Sequence, residues 1–178
     1  MTESQDLLLH YRRQRGWTRD LVEAVPDEHF DWAPAADAFS CGGLVRHLIQ
    51  AEIFWRRLLA MAVDGEAYDP FRLEGDRDER MRSFRQPNLR SSGSLKLGST
   101  FAECLASWEP IQAATEELIE GLTSEQLSEV GVRHPLTGLE ASLREFLLVM
   151  FEHEAHHRGQ LSAYLKTLGV EQPTTLWS

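Results

Sequence analysis

Four stretches of this chain place apolar residues at the 3.6-residue period of an α-helix, and strand-like alternation is nearly absent. The first, about Gln5 to Val25, puts Leu7, Tyr11, Gln14, Thr18, Leu21 and Val25 on one face, and Pro26 stops it. The second begins after Ser40, whose hydroxyl suits an N-cap, and aligns Leu44, His47, Leu48, Ala51, Trp55, Leu58 and Ala62. The third opens on the capping-box pair Thr100 and Glu103 and carries Phe101, Leu105, Trp108, Thr115, Ile119 and Leu122. Pro110 falls inside it and predicts a kink or a split. The fourth opens on a second such pair, Ser142 and Glu145. It runs through Leu143, Phe146, Leu147, Met150, His157, Leu161, Tyr164, Leu165 and Leu168 until Gly169 ends it. Each stripe must be buried against another, so the expectation is an all-α four-helix bundle.

At 178 residues, one domain spanning 1–178 has chain enough for a core without a disulfide or structural metal. The connection from Asp64 to Ser99 is long, charged and rich in Gly, Pro and Ser. A link of that length between the second and third helices lets them run parallel. Gly131 to Leu139, with Val130, Val132 and the turn-forming Pro135-Leu136-Thr137-Gly138, predicts a small hairpin.

Charge narrows the partners. Nucleic-acid binding draws its affinity from Lys and Arg neutralising phosphates, and this chain carries a net charge of -10. The one basic stretch, Arg80 to Lys96 with Arg82, Arg85 and Arg90, follows Glu74, Asp76, Asp78 and Glu79, so the local sum is near zero. It reads as a solvated loop, and no nucleic-acid partner is expected. No apolar run approaches the roughly 20 residues that cross a bilayer, so no membrane partner is expected either. Residues Met1 to Arg19 lack an apolar segment and predict no signal peptide. Cys41 and Cys104 form no CxxC pair and read as reduced thiols of a cytoplasmic protein.

The fourth helix carries His153-Glu154-Ala155-His156-His157, three histidines in five residues. Imidazole is the commonest metal ligand, and i, i+4 spacing puts two rings on one helix face. At 100° per residue, His157 falls within about 20° of the centre of the apolar face and His153 about 60° to one side, whereas His156 lies roughly 120° away. His153 and His157 therefore form an inward pair. His47 sits on the buried stripe of the second helix, and alone it would read as a satisfied core histidine. Burying three imidazoles without partners costs roughly 1–3 kcal/mol each, a penalty that a divalent cation removes. Three neutral nitrogens leave an open coordination position, as in catalytic zinc sites, and suit zinc, nickel, copper or iron over magnesium or calcium.

The same residues satisfy HExxH, the zincin pattern with Glu154 as general base. The context disagrees. The metzincin extension wants Gly at 160 and His at 163, where this chain has Gln160 and Ala163, and a later glutamate ligand is hard to place.

The string His153-x-x-x-His157-Arg158-Gly159-Gln160-Leu161 resembles the DinB/YfiT-like superfamily of metal-dependent enzymes. Asp31-Trp32-Ala33-Pro34, then Ser40, then His47-Leu48 before Glu52, is similar to the same pattern. This DinB is the damage-inducible bundle protein, not the polymerase of that name. The likeness covers essentially the whole chain, with a 64–99 insert longer and more charged than the family core. It implies an up-down-down-up four-helix bundle, frequently a homodimer, holding a divalent metal at His47, His153 and His157, with zinc or nickel expected. It also implies thiol-dependent transfer chemistry, since its better-characterised members are bacillithiol S-transferases and mycothiol-dependent maleylpyruvate isomerases. Likeness of fold does not transfer a substrate.

The leading expectation is a metal-dependent S-transferase acting on a small molecule with a low-molecular-weight thiol. The alternative is a non-enzymatic, metal-stabilised dimeric module of a stress response. Glu154 is the candidate catalytic residue, placed to hydrogen-bond a metal-held water or a ligand imidazole, with a buried ion pair as its other reading. Glu52, about 140° from His47, is expected at the surface. Gly159 is expected to permit close helix packing, Arg158 to cap or to pair with an acid, and Cys41 to have its thiol acidified by the helix N-terminus.

Overall fold

The computed structural model describes residues 2–65, 97–134 and 138–173. Its elements are α1 (Glu3–Glu23), a 3-10 turn (Asp27–His29), α2 (Cys41–Val63), α3 (Phe101–Gly121), α4 (Ser124–Glu129), the strands β1 (Gly131–Arg133) and β2 (Glu140–Ser142), and α5 (Leu143–Leu168). Each α-helix among the described residues starts where a hydroxyl closes its first turn. Thr2, Ser40, Thr100, Thr123 and Ser142 accept from the backbone N–H of Gln5, Gly43, Glu103, Gln126 and Glu145 respectively. The box at Ser142 is reciprocal, as its sequence predicts. At Thr100 only half of it forms, because the Glu103 carboxylate accepts instead from the backbone and hydroxyl of Ser99. Gly169 ends α5 in the left-handed region at φ 71°, where a side chain would be strained.

Pro110 does not split α3, which runs unbroken from Phe101 to Gly121. Burial on both sides of the proline accounts for this: Cys104, Leu105 and Trp108 pack before it, Thr115 and Ile119 after it. The short α4 was not expected. Its signal, Thr123 with Gln126 three residues on, is a reciprocal capping box. The hairpin forms, with β1 and β2 antiparallel and Val132 opposite Ala141. Residues 135–137 of the expected turn, and the Arg80–Lys96 stretch, lie outside the described residues.

The four long helices form a ring in which α1 and α2 each pack against both α3 and α5. Cross-helix pairs give their senses. Arg12 meets Glu116 and Arg19 meets Glu109, so α1 and α3 run oppositely. Glu3 meets Arg144 and Thr18 meets Glu154, so α1 and α5 run together. Trp55 lies against Phe146, and His47 against His153, so α2 opposes α5. The long 64–99 connection thus joins two helices of the same sense.

The core divides into two apolar halves. One gathers Leu21, Val22, Leu44, Ile49, Trp108 and Leu161, the other Leu8, Leu59, Ile119, Leu143, Phe146 and Leu147. Between them lies a layer of buried polar groups: Arg15 and Thr18 of α1, Glu52 of α2, Thr115 of α3 and Glu154 of α5. The candidate site adjoins this waist.

Candidate metal centre

His47 enters from α2, while His153 and His157 enter one turn apart from α5. Because the two helices run oppositely and pack together, the N-terminal part of α2 meets the second half of α5 and the rings converge. His153 Nε2 stands 3.3 Å from His47 Nε2 and 3.2 Å from His157 Nε2. One ligand atom from each ring lies within 4.8 Å of the others, and no other group of His, Cys, Asp or Glu gathers this way among the described residues. Nitrogens bound about 2.0–2.1 Å from one tetrahedral zinc stand roughly 3.3 Å apart. Two of the three pairs have that spacing, so the cluster could hold a single cation.

The rings are held in different ways. His47 stacks on Phe39, centroids 5.0 Å apart and planes 26° from parallel, and Phe39 meets His157 edge-on. His157 Nδ1 lies 2.7 Å from Gln160 Oε1. Burial, reinforced by the neighbouring His157, lowers the pKa of His47 to about 4. Burial and the two companion rings lower His153 to about 3. Burial lowers His157 as well, against the opposing hydrogen bond to Gln160. His47 and His153 are thus neutral at neutral pH, the protonation state in which imidazole binds a metal.

A cavity of about 10 Å³, room for about one water molecule, lies beside His153 and reaches Arg15, Glu52 and Glu154. There the Glu52 carboxylate accepts from the hydroxyls of Tyr11 and Thr115, from Trp108 Nε1 and from the Arg15 guanidinium. Glu154 accepts from the Thr18 hydroxyl and pairs with Arg15 at 3.1 Å. Burial alone would depress the Arg15 pKa, but Glu154 and Glu52 outweigh it and raise it.

The comparisons with known proteins agree with this architecture. Residues 1–176 match the DinB family. The chain belongs to the DinB family. The uncharacterized protein YjoA of Bacillus subtilis strain 168 is 24% identical over 169 residues, 95% of this chain and 93% of that protein. The crystal structure of YjoA, a DinB-like protein, shares the fold with a TM-score of 0.65 at 20% identity, covering 96% of this chain and 97% of that one. A DinB-like protein from Bacillus cereus ATCC 10987 gives a TM-score of 0.67 at 15% identity, covering 95% of each chain.

Against this DinB bundle, several expectations change. Glu154 accepts from Thr18 and pairs with Arg15, as its ion-pair reading expects, and it lines the same small cavity as His153. Glu52 is not at the surface but 2% exposed. A single narrow buried face through His47 would leave Glu52 outside, but α2 packs on two neighbours and buries both directions. Among the described residues Arg158 forms no salt bridge: it donates to Gln14 Oε1 at 2.6 Å and lies over Trp17. Gly159 faces open space, so it permits no close packing. The glycine that does so is Gly42, whose missing Cβ makes room for the Phe30 ring. Burial pushes the Cys41 thiol up to about 11, outweighing the helix terminus. Arg15 is the residue that sequence reasoning missed. It lies seven residues from both Leu8 and Val22, so it shares their inward direction.

Among the described residues, no helix is long and apolar enough to cross a membrane.

Proposed function

We propose that this DinB family chain binds one divalent transition metal, zinc or nickel, through His47, His153 and His157. We further propose that it uses the metal to transfer a low-molecular-weight thiol to an electrophilic small molecule. The observation that carries this reading is the convergence of three Nε2 atoms, two pairs of them 3.2 and 3.3 Å apart. A bound cation supplies Lewis acidity, which favours the anionic form of a thiol or of water. The chain's own residues do the rest. Three imidazoles fix the position, the Phe39 ring stacks on His47, and Gln160 holds His157. Glu154 supports the site by holding α1 through Arg15 and Thr18.

The test is conjugation of cysteine-type thiols to model electrophiles, with and without zinc or nickel. Metal-dependent turnover that disappears in His47→Ala supports the reading. Turnover unchanged by chelation and by that substitution contradicts it.

A second reading is favoured by the engagement of Glu154, whose carboxylate already serves Thr18 and Arg15. On that reading the chain is a metal-stabilised dimeric module without enzymatic activity. It predicts that chelation lowers the melting temperature or dissociates the dimer while no thiol is conjugated to any electrophile.

A further inference from the structure

Gln160 touches two imidazoles at once. Its Oε1 lies 2.7 Å from His157 Nδ1, and its Nε2 lies 3.2 Å from His156 Nε2. These positions are three and four residues apart on α5, where side chains of one helix face meet. A carboxamide oxygen only accepts, so the short contact places the proton of neutral His157 on Nδ1. Its Nε2 is then a bare lone pair, aimed at His153 Nε2 and His47. At its other end the amide Nε2 lies against the ring of exposed His156, so the side chain spans the two imidazoles.

His47 has no equivalent support. Its Nδ1 is buried and lacks a hydrogen-bond partner among the described residues. Stacking on Phe39 fixes the plane of that ring without choosing which nitrogen carries the proton.

We infer that Gln160 is a positioning residue that selects the Nδ1–H tautomer of His157 and so presents Nε2 to the metal. This rests on the metal-binding reading given above. Which nitrogen of a histidine is protonated follows from the hydrogen bond made by the other, and such supports typically change metal affinity about 10- to 100-fold.

The experiment uses full-length protein labelled with ¹⁵N, with long-range ¹H–¹⁵N correlation spectra of the metal-free form and zinc affinity measured by competition. The parent should show His157 as the Nδ1–H tautomer. Gln160→Leu should shift it toward Nε2–H and weaken zinc binding about 10- to 100-fold, with the melting temperature nearly unchanged. Gln160→Glu, which keeps an accepting oxygen, should restore both tautomer and affinity. An Nε2–H tautomer in the parent overturns the inference, as does a Gln160→Leu variant with parental tautomer and zinc affinity within twofold. A parent with the expected tautomer that takes up no zinc instead overturns the metal reading, so the two failures are distinct.

Discussion

Arg15 Nη2 stands 2.7 Å from the Glu52 carboxylate and 3.1 Å from that of Glu154, at the level where all four long helices turn a polar group inward. One guanidinium thereby joins α1 to α2 and to α5, while Thr115 and Trp108 bring α3 to the same carboxylate. A polar layer of this kind fixes the relative height of the helices, because sliding any of them by a turn strands a buried charge.

Removing one partner from such a network costs about 3–5 kcal/mol, since an uncompensated charge stays behind in the core. Arg15→Met should therefore lower stability by that amount in urea denaturation, and Glu52→Gln should also destabilise, by less, because an amide still accepts at Oε1. A change under about 1 kcal/mol for Arg15→Met would mean that the layer is not tight.

Acid should destabilise the metal-free protein through the histidines. His47 and His153 hold pKa values of about 4 and about 3, below the ordinary value of 6.5, because burial penalises their charged forms. The unfolded chain takes up these protons as pH falls through about 6.5, and the folded chain does so only near 4 or below. Their contribution is thus fully present above 6.5 and is lost as pH falls toward 4. Urea midpoints at pH 7.5 and 5.0 should show this drop, and the His47→Gln/His153→Gln double variant should show a shallower one. Equal slopes would contradict it.

Two glycine substitutions should act with opposite signs. A Cβ at Gly42 would lie 2.4 Å from the Phe30 ring, so Gly42→Ala should destabilise by about 1–3 kcal/mol through overpacking. Gly159 sits inside α5 facing open space, so Gly159→Ala should stabilise by roughly 0.5–1 kcal/mol. Thermal denaturation of both decides the matter.

What could be read in the sequence was whatever depends on one helix at a time. The stripes, the caps at Ser40 and Ser142, the stop at Gly169 and the inward pair His153 and His157 are all local, and the structure has each of them. Pairwise facts were harder to read. Glu52 is buried because Arg15, Tyr11, Trp108 and Thr115 arrive from two other helices, and no periodicity within α2 shows them. Arg15 itself broke the polar-outside rule because its partners lie 37 and 139 positions away. Gly159 lacks the close packing expected of it, whereas Gly42 has it, for the same reason: what a glycine meets depends on the neighbouring element.

Zinc should stabilise the folded protein if only that state assembles the three imidazoles. At a free concentration of 100 times Kd the gain is about 2.7 kcal/mol. The melting temperature should rise on adding zinc and return on chelation, and His47→Ala should show neither change. A rise that persists in His47→Ala would place the ion elsewhere.

Crystals grown with zinc and measured at its absorption edge would locate the ion itself. One anomalous peak is expected about 2.0–2.1 Å from each Nε2 of His47, His153 and His157. A peak bound by only two of them, or none between α2 and α5, would contradict it.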